Sequence, residues 1–141
     1  MTSITKIFHF ETAHALYGYN GPCRSVHGHS YELHVTVTAH STSDGYIAAP
    51  GFIIDFKKLK QVVKEAVVDR LDHKLLLSST YLTLHPLYAT ADNLEVWEEE
   101  PSAENMLVFT RNALASALPL GANLQALRLY ETKDSYAEWK R

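Results

Sequence analysis

The chain has 141 residues, 46% of them hydrophobic and 21% charged, with a formal net charge of -3. This is a single domain, residues 1–141, of ordinary globular composition; it argues against extensive disorder, against nucleic-acid binding through a general basic surface, and against a membrane span, which needs ~20 consecutive apolar residues. One cysteine, Cys23, rules out an intrachain disulfide framework, and no apolar run follows Met1 to Lys6, so a cytoplasmic protein without a signal peptide is expected.

Ile7 to His14 alternates with Phe8, Phe10, Thr12 and His14 on one face, which predicts a strand. Tyr17 to Cys23 is dense in turn formers and predicts a loop. His29 to Ala39 alternates again, with Tyr31, Leu33, Val35, Val37 and Ala39 on one side and Glu32, His34, Thr36 and Thr38 on the other, the pattern of a half-buried strand. A loop is expected from Ser41 to Gly51, containing Asp44. Asp55 is a good N-cap for a helix whose apolar face carries Leu59, Val62, Val63, Ala66 and Val67 and which should end near Arg70. From Leu75 to Pro101 the pattern predicts a long loop with one short strand at Leu94 to Trp97. Ser102 can cap a second helix carrying Met106, Phe109, Ala113 and Ala117, stopped by Pro119 and Gly121. Leu124 to Glu131 and Ser135 to Trp139 predict a closing hairpin. The order β-β-α-α-β-β indicates an α+β fold, an antiparallel sheet with helices on one face.

Eight histidines are present, and three near the start have a usable spacing. His27 and His29 are two apart in an extended segment, so both rings project to one side, with Gly28 between them leaving room. A hairpin of the first two strands brings His14 beside them. Three neutral imidazoles suit Zn²⁺, and three protein ligands leave a position open. His9, His34, His40 and His85 lack partner spacing and are expected to be solvated or hydrogen-bonded rings. Cys23, four residues before His27, is either a fourth ligand closing a structural site or a thiol beside the metal whose lowered pKa makes it a usable base. Asp72 and His73 are either a carboxylate–imidazole proton relay or an ordinary helix C-terminus that welcomes a histidine. Glu131 shares a face with Leu127 and Leu129, which calls for a partner such as the planar two-donor edge of an aminopyrimidinone, unless it is an exposed strand end. Glu104 suits a helix N-terminus.

The segments Phe10-Glu-Thr-Ala-His14, Cys23-x-x-x-His27-Gly-His29-x-Tyr31, Ile54-Asp-Phe56, Leu71-Asp-His73, Pro101-Ser-Ala-Glu-Asn105 and Tyr130-Glu-Thr132 together resemble the 6-pyruvoyltetrahydropterin synthase / 6-carboxytetrahydropterin synthase family, in family order and over nearly the whole chain. The resemblance implies the tunnelling fold (T-fold), a four-stranded antiparallel sheet with two helices on one face, assembled into homohexamers of two trimers with active sites between subunits. It implies zinc on His14, His27 and His29; Cys23 as catalytic thiol; Asp72 and His73 as a relay; Glu131 as the anchor of the pterin ring; and Ser102 and Glu104 near the pterin. The implied substrate is dihydroneopterin triphosphate. The short Cys-to-His-Gly-His spacing is similar to the queuosine branch, whose product is 6-carboxytetrahydropterin; a 6-pyruvoyl or other pterin product, and a non-catalytic zinc-stabilised module, are the alternatives. Two departures from the family pattern bear on substrate choice: the segment from His73 to Ser102 is longer than in compact members, and Ser102-Ala103 stands where two hydroxyl residues are common.

Overall fold

The computed structural model describes residues 1–39 and 45–141, so His40 and the Ser41 to Asp44 part of the loop expected from Ser41 to Gly51 lie outside the described residues. The elements run β1 (Ser3–His14), β2 (His27–Ala39), α1 (Phe56–Leu71, with a wider π turn at Lys64–Val68), β3 (Lys74–Ser78), α2 (Ser79–Leu84), β4 (Leu94–Trp97), α3 (Ala103–Ala117), β5 (Ala122–Thr132) and β6 (Ser135–Lys140). They form one sheet in the order β4-β3-β1-β2-β5-β6.

The four antiparallel strands expected from the sequence are β1, β2, β5 and β6. Alternation makes them: Phe8 and Phe10 of β1, Tyr31, Leu33, Val35 and Val37 of β2, and Leu127 and Leu129 of β5 share one buried face. Onto that face pack Leu59, Val62, Val63, Val67 and Leu71 of α1 and Met106, Leu107 and Leu114 of α3. Asp55 caps α1 by accepting from the Lys57 N–H at 2.7 Å. The π turn advances the chain by less rotation per residue than an α turn, which keeps Leu71, twelve residues after Leu59, on the buried side. The antiparallel sheet with helices on one face agrees with the α+β expectation. β2 begins at His27 rather than His29.

The sheet is nevertheless wider than four strands. The stretch expected to be a long loop holds β3, α2, a 3₁₀ turn at Pro86–Thr90 and β4, with β3 parallel to both β1 and β4. Leu75 to Ser78 are all buried, so β3 is covered on both faces and carries no alternation to read. The short strand at Leu94–Trp97 is where the pattern put it. This extension builds a second small core from Ala15, Leu75, Leu77 and Tyr81, and the Tyr81 hydroxyl donates to the Arg24 carbonyl at 2.7 Å. It therefore braces the loop that carries Cys23 and leads into His27. Among the described residues no helix is long and apolar enough to cross a membrane.

Leu33 is fully buried at the centre of β2. Leu33→Ala should lower the unfolding free energy by about 2–5 kcal/mol in urea titration; a loss well under 1 kcal/mol would mean that this face is not the core.

Candidate active site

The hairpin of β1 and β2 sets His14 directly opposite His27, with His29 two residues further along the same face. The ring nitrogens of His14, His27 and His29 that can serve as ligands lie within 4.8 Å of one another. Two backbone carbonyls orient the first two rings. His14 Nδ1 lies 2.6 Å from the Pro101 carbonyl, and His27 Nδ1 lies 2.7 Å from the Ser25 carbonyl. A carbonyl only accepts, so each Nδ1 carries the proton and each Nε2 offers a lone pair. These two Nε2 atoms are 3.1 Å apart, and His29 Nε2 is buried without a hydrogen-bond partner. Two facing lone pairs and an unpartnered third nitrogen are a donor set that a cation would satisfy. The 3.1 Å separation is close to the roughly 3.3 Å edge of a tetrahedral site with Zn–N bonds of about 2.0–2.1 Å. The residues present fit zinc.

His14 is buried to 1% exposure. That burial, followed by the neighbouring His27 and His29, pulls its pKa below the ordinary histidine value, against the opposing pull of the Pro101 carbonyl and Glu131. The ring is neutral at pH 7, as a ligand must be. Gly28 plays no part in making room. Its missing side chain would face the opposite side of the sheet and meet only ordinary contacts with the Thr12 carbonyl and Ala13.

Glu131 lies at an irregularity in the β5–β6 pairing between Tyr130 and Thr132. Alternation along β5 keeps its carboxylate on the face of Leu127 and Leu129. Oε1 is 3.9 Å from His14 Nε2 and 3.4 Å from the Tyr31 hydroxyl. Burial, then the Glu131 charge, raises the Tyr31 pKa well above the ordinary phenol value, so that hydroxyl keeps its proton and donates. Glu131 is therefore not the exposed strand end. Cys23 is half-buried and close enough for its charge to act on Tyr31. It stands outside the convergent ligand set, which favours an open three-histidine site over a closed one.

Asp72 and His73 are paired, Oδ1 to Nδ1, at 3.0 Å. Burial works against ionisation of Asp72, but the Glu11 N–H at 2.9 Å and the His73 ring outweigh it and hold the carboxyl below its ordinary range. His73 adopts a left-handed backbone, φ 60°, uncommon for a residue with a side chain. The Glu11 carbonyl accepts from its N–H at 2.6 Å, and Asn93 Nδ2 donates to its carbonyl at 2.9 Å. Backbone held this way against preference is a mark of functional sites. His73 opens into a cleft of about 360 Å³ whose lining includes Glu11, His29, Ser30, Lys74 and Asn93. Glu11 and Ser30 alternate to the sheet face opposite the three imidazoles, and Asp72 and His73 stand outside the cluster that His14, His27 and His29 form, so within one chain the structure does not bring the two groups together. Ser102 caps α3 through the Asn105 N–H at 3.3 Å, and Glu104 is exposed in its first turn. Of the other histidines, His34 bonds Glu32 at 2.6 Å, His85 stacks on Tyr81, and His9 is exposed.

A family model described as 6-pyruvoyl tetrahydropterin synthase matches residues 3–141. The chain belongs to this family. It is 30% identical over 144 residues to the 6-carboxy-5,6,7,8-tetrahydropterin synthase of Haemophilus influenzae, covering 99% of each chain. An uncharacterized protein from Wolinella succinogenes has the same fold with a TM-score of 0.78 at 20% identity, over 99% of this chain and 97% of the other. The 6-pyruvoyl tetrahydropterin synthase of Caenorhabditis elegans matches at a TM-score of 0.68 and 20% identity, over 99% and 95%. The fold is the T-fold.

Within this family member, sequence reasoning missed Tyr31, Asn93 and the carbonyls of Ser25 and Pro101. Tyr31 had a signal, since it follows His29 by two on the same strand face. Carbonyls have none, because every residue carries one.

Metal-free protein should lose stability toward acid. The unfolded chain protonates His14 near its ordinary pKa while the folded ring stays neutral to lower pH, so stability rises with pH between the two values. Urea midpoints should fall from about pH 7.5 to about pH 5, and fall less in His14→Gln; equal slopes would refute the assignment.

Proposed function

We propose that this protein is a zinc-dependent 6-carboxy-5,6,7,8-tetrahydropterin synthase, a carbon–carbon lyase that converts 7,8-dihydroneopterin triphosphate to 6-carboxytetrahydropterin, acetaldehyde and triphosphate in queuosine precursor synthesis. The observation that carries the reading is the end-to-end similarity to the Haemophilus influenzae enzyme of that name, joined to a three-histidine set that leaves Cys23 unligated.

His14, His27 and His29 would hold the zinc through Nε2. When bound, it supplies Lewis acidity at the hydroxyls of the substrate side chain, which makes the neighbouring C–H groups more acidic. The remaining chemistry belongs to the chain. The Glu131 carboxylate, fixed beside Tyr31 and His14, accepts from the amino and ring N–H groups of the pterin and so aims the side chain at the histidines. Ser102 and Glu104, at the start of α3, border the ring. Cys23 takes a proton from the side chain as thiolate. The Asp72–His73 dyad moves the second proton: the ionised carboxylate holds Nδ1–H, which leaves His73 Nε2 to give or accept. Because the dyad stands apart from the histidines of its own chain, it serves the site of a neighbouring copy, consistent with a homohexamer of two trimers and catalysis between subunits.

Product analysis tests this. Zinc-loaded protein given dihydroneopterin triphosphate should yield 6-carboxytetrahydropterin and acetaldehyde by mass spectrometry. Cys23→Ala and Asp72→Asn should each keep one zinc per chain and lose about 10²-fold or more in kcat. A pyruvoyl product would move the protein to the biopterin branch, and no turnover by folded, zinc-loaded protein would refute both. Loss of zinc in Cys23→Ala would favour the closed site. Mixing the two inactive variants and reassembling them should restore activity; if the mixture stays inactive, the site is not shared between copies.

A further inference from the structure

We propose that Asn105 is a positioning residue for the metal-ligating face of His14, acting through the Glu100–Ser102 turn. The inference rests on the metal reading of the three histidines and adds a residue that makes no contact with any of them.

His14 presents its Nε2 lone pair only while Nδ1 keeps its proton on an acceptor, and that acceptor is the Pro101 carbonyl at 2.6 Å. If the carbonyl turns away, the ring is free to carry its proton on Nε2, which then repels a cation instead of binding it. What holds Pro101 is therefore part of the site. The Ser102 N–H donates to the Glu100 carbonyl at 2.8 Å, an i to i+2 closure with Pro101 at its centre. That is the bond of an inverse γ-turn, whose central φ suits a proline ring. Asn105 Nδ2 donates to the same Glu100 carbonyl at 2.8 Å. The Glu100 carboxylate accepts from the Tyr17 N–H at 2.6 Å, which ties the turn to the chain three residues after His14.

The chemistry of this position is specific. Asn105 is the third residue of α3, behind the Ser102 cap. At that place a Glu or Gln ordinarily reaches back to accept from the cap residue's own N–H. Here that N–H is already given to Glu100, and what remains to be met is a carbonyl oxygen. Only a donor can meet it. A carboxylate, although favoured near a helix N-terminus, would face the oxygen with lone pairs on both sides. The helix alone would accept Asp; the turn requires the amide.

Asn105→Asp separates these roles. Zinc affinity is measured by competition with a chromophoric chelator, and the unfolding temperature on the metal-free protein. Asn105→Asp should leave the unfolding temperature at or above that of the parent and weaken zinc binding by about tenfold or more, the range expected when outer partners of a ligand are lost. Ser102→Ala should do the reverse, lowering the unfolding temperature through the lost cap while binding zinc within about twofold of the parent. In proton NMR of the metal-free protein, the downfield His14 Nδ1–H signal should be present in the parent and lost to exchange in Asn105→Asp. Parent-like zinc affinity and an intact Nδ1–H signal in Asn105→Asp would overturn the proposal, as would an equal loss of affinity in Ser102→Ala. Failure of the parent itself to bind zinc would sink the metal reading instead, and the Nδ1–H signal would still decide the role of Asn105.

Discussion

The antiparallel register of β1 against β2 is the constraint from which the site follows. It pairs His14 with His27, and before that Phe10 with Tyr31 and Phe8 with Leu33. The aromatic and aliphatic pairs are buried, so they hold the register by the ordinary hydrophobic drive. A slip by one residue would expose that set and send His14 to the face of Glu11. The same alternation thus builds the core at one end of the hairpin and gathers three imidazoles at the other. The apolar end stabilises an arrangement that the polar end, with two lone pairs 3.1 Å apart, would oppose.

The sheet also divides the chemistry. On its helix-covered face lie the histidines, Tyr31 and Glu131; apart from them stand Asp72 and His73 with Glu11, Ser30 and Asn93. Each side is internally consistent. The first is dry, with His14 neutral and the Tyr31 hydroxyl protonated. The second is wet, with an ionised carboxylate beside a mostly exposed imidazole. A single chain keeps the two groups apart, and the proposal of a site shared between copies rests on that separation.

The extension between His73 and Ser102 serves both halves. β3 continues the sheet from β1, Asn93 holds the carbonyl of His73, Tyr81 holds the loop that leads to His27, and the segment closes on Glu100 and Pro101 against His14. What reads in the sequence as an aromatic and acidic loop is the support of the site.

The sequence by itself determined the elements that have a period and the residues that have a chemistry. Alternation located β1, β2, β5 and β6, helical spacing located α1 and α3, and the caps Asp55 and Ser102 were legible because an N-cap is a local bond within a few residues. The histidine triad was legible because two ligands share a strand and the third ends its partner. Tertiary structure decided what has no local signal. β3 is buried on both faces and so shows no period. The partner of the Glu131 carboxylate, the Tyr31 hydroxyl, lies 100 positions away. The proton on His14 Nδ1 depends on a carbonyl 87 positions away. The separation of Asp72 and His73 from the histidines depends on which face each strand residue takes once the sheet is assembled, and residue spacing along a chain does not carry that information.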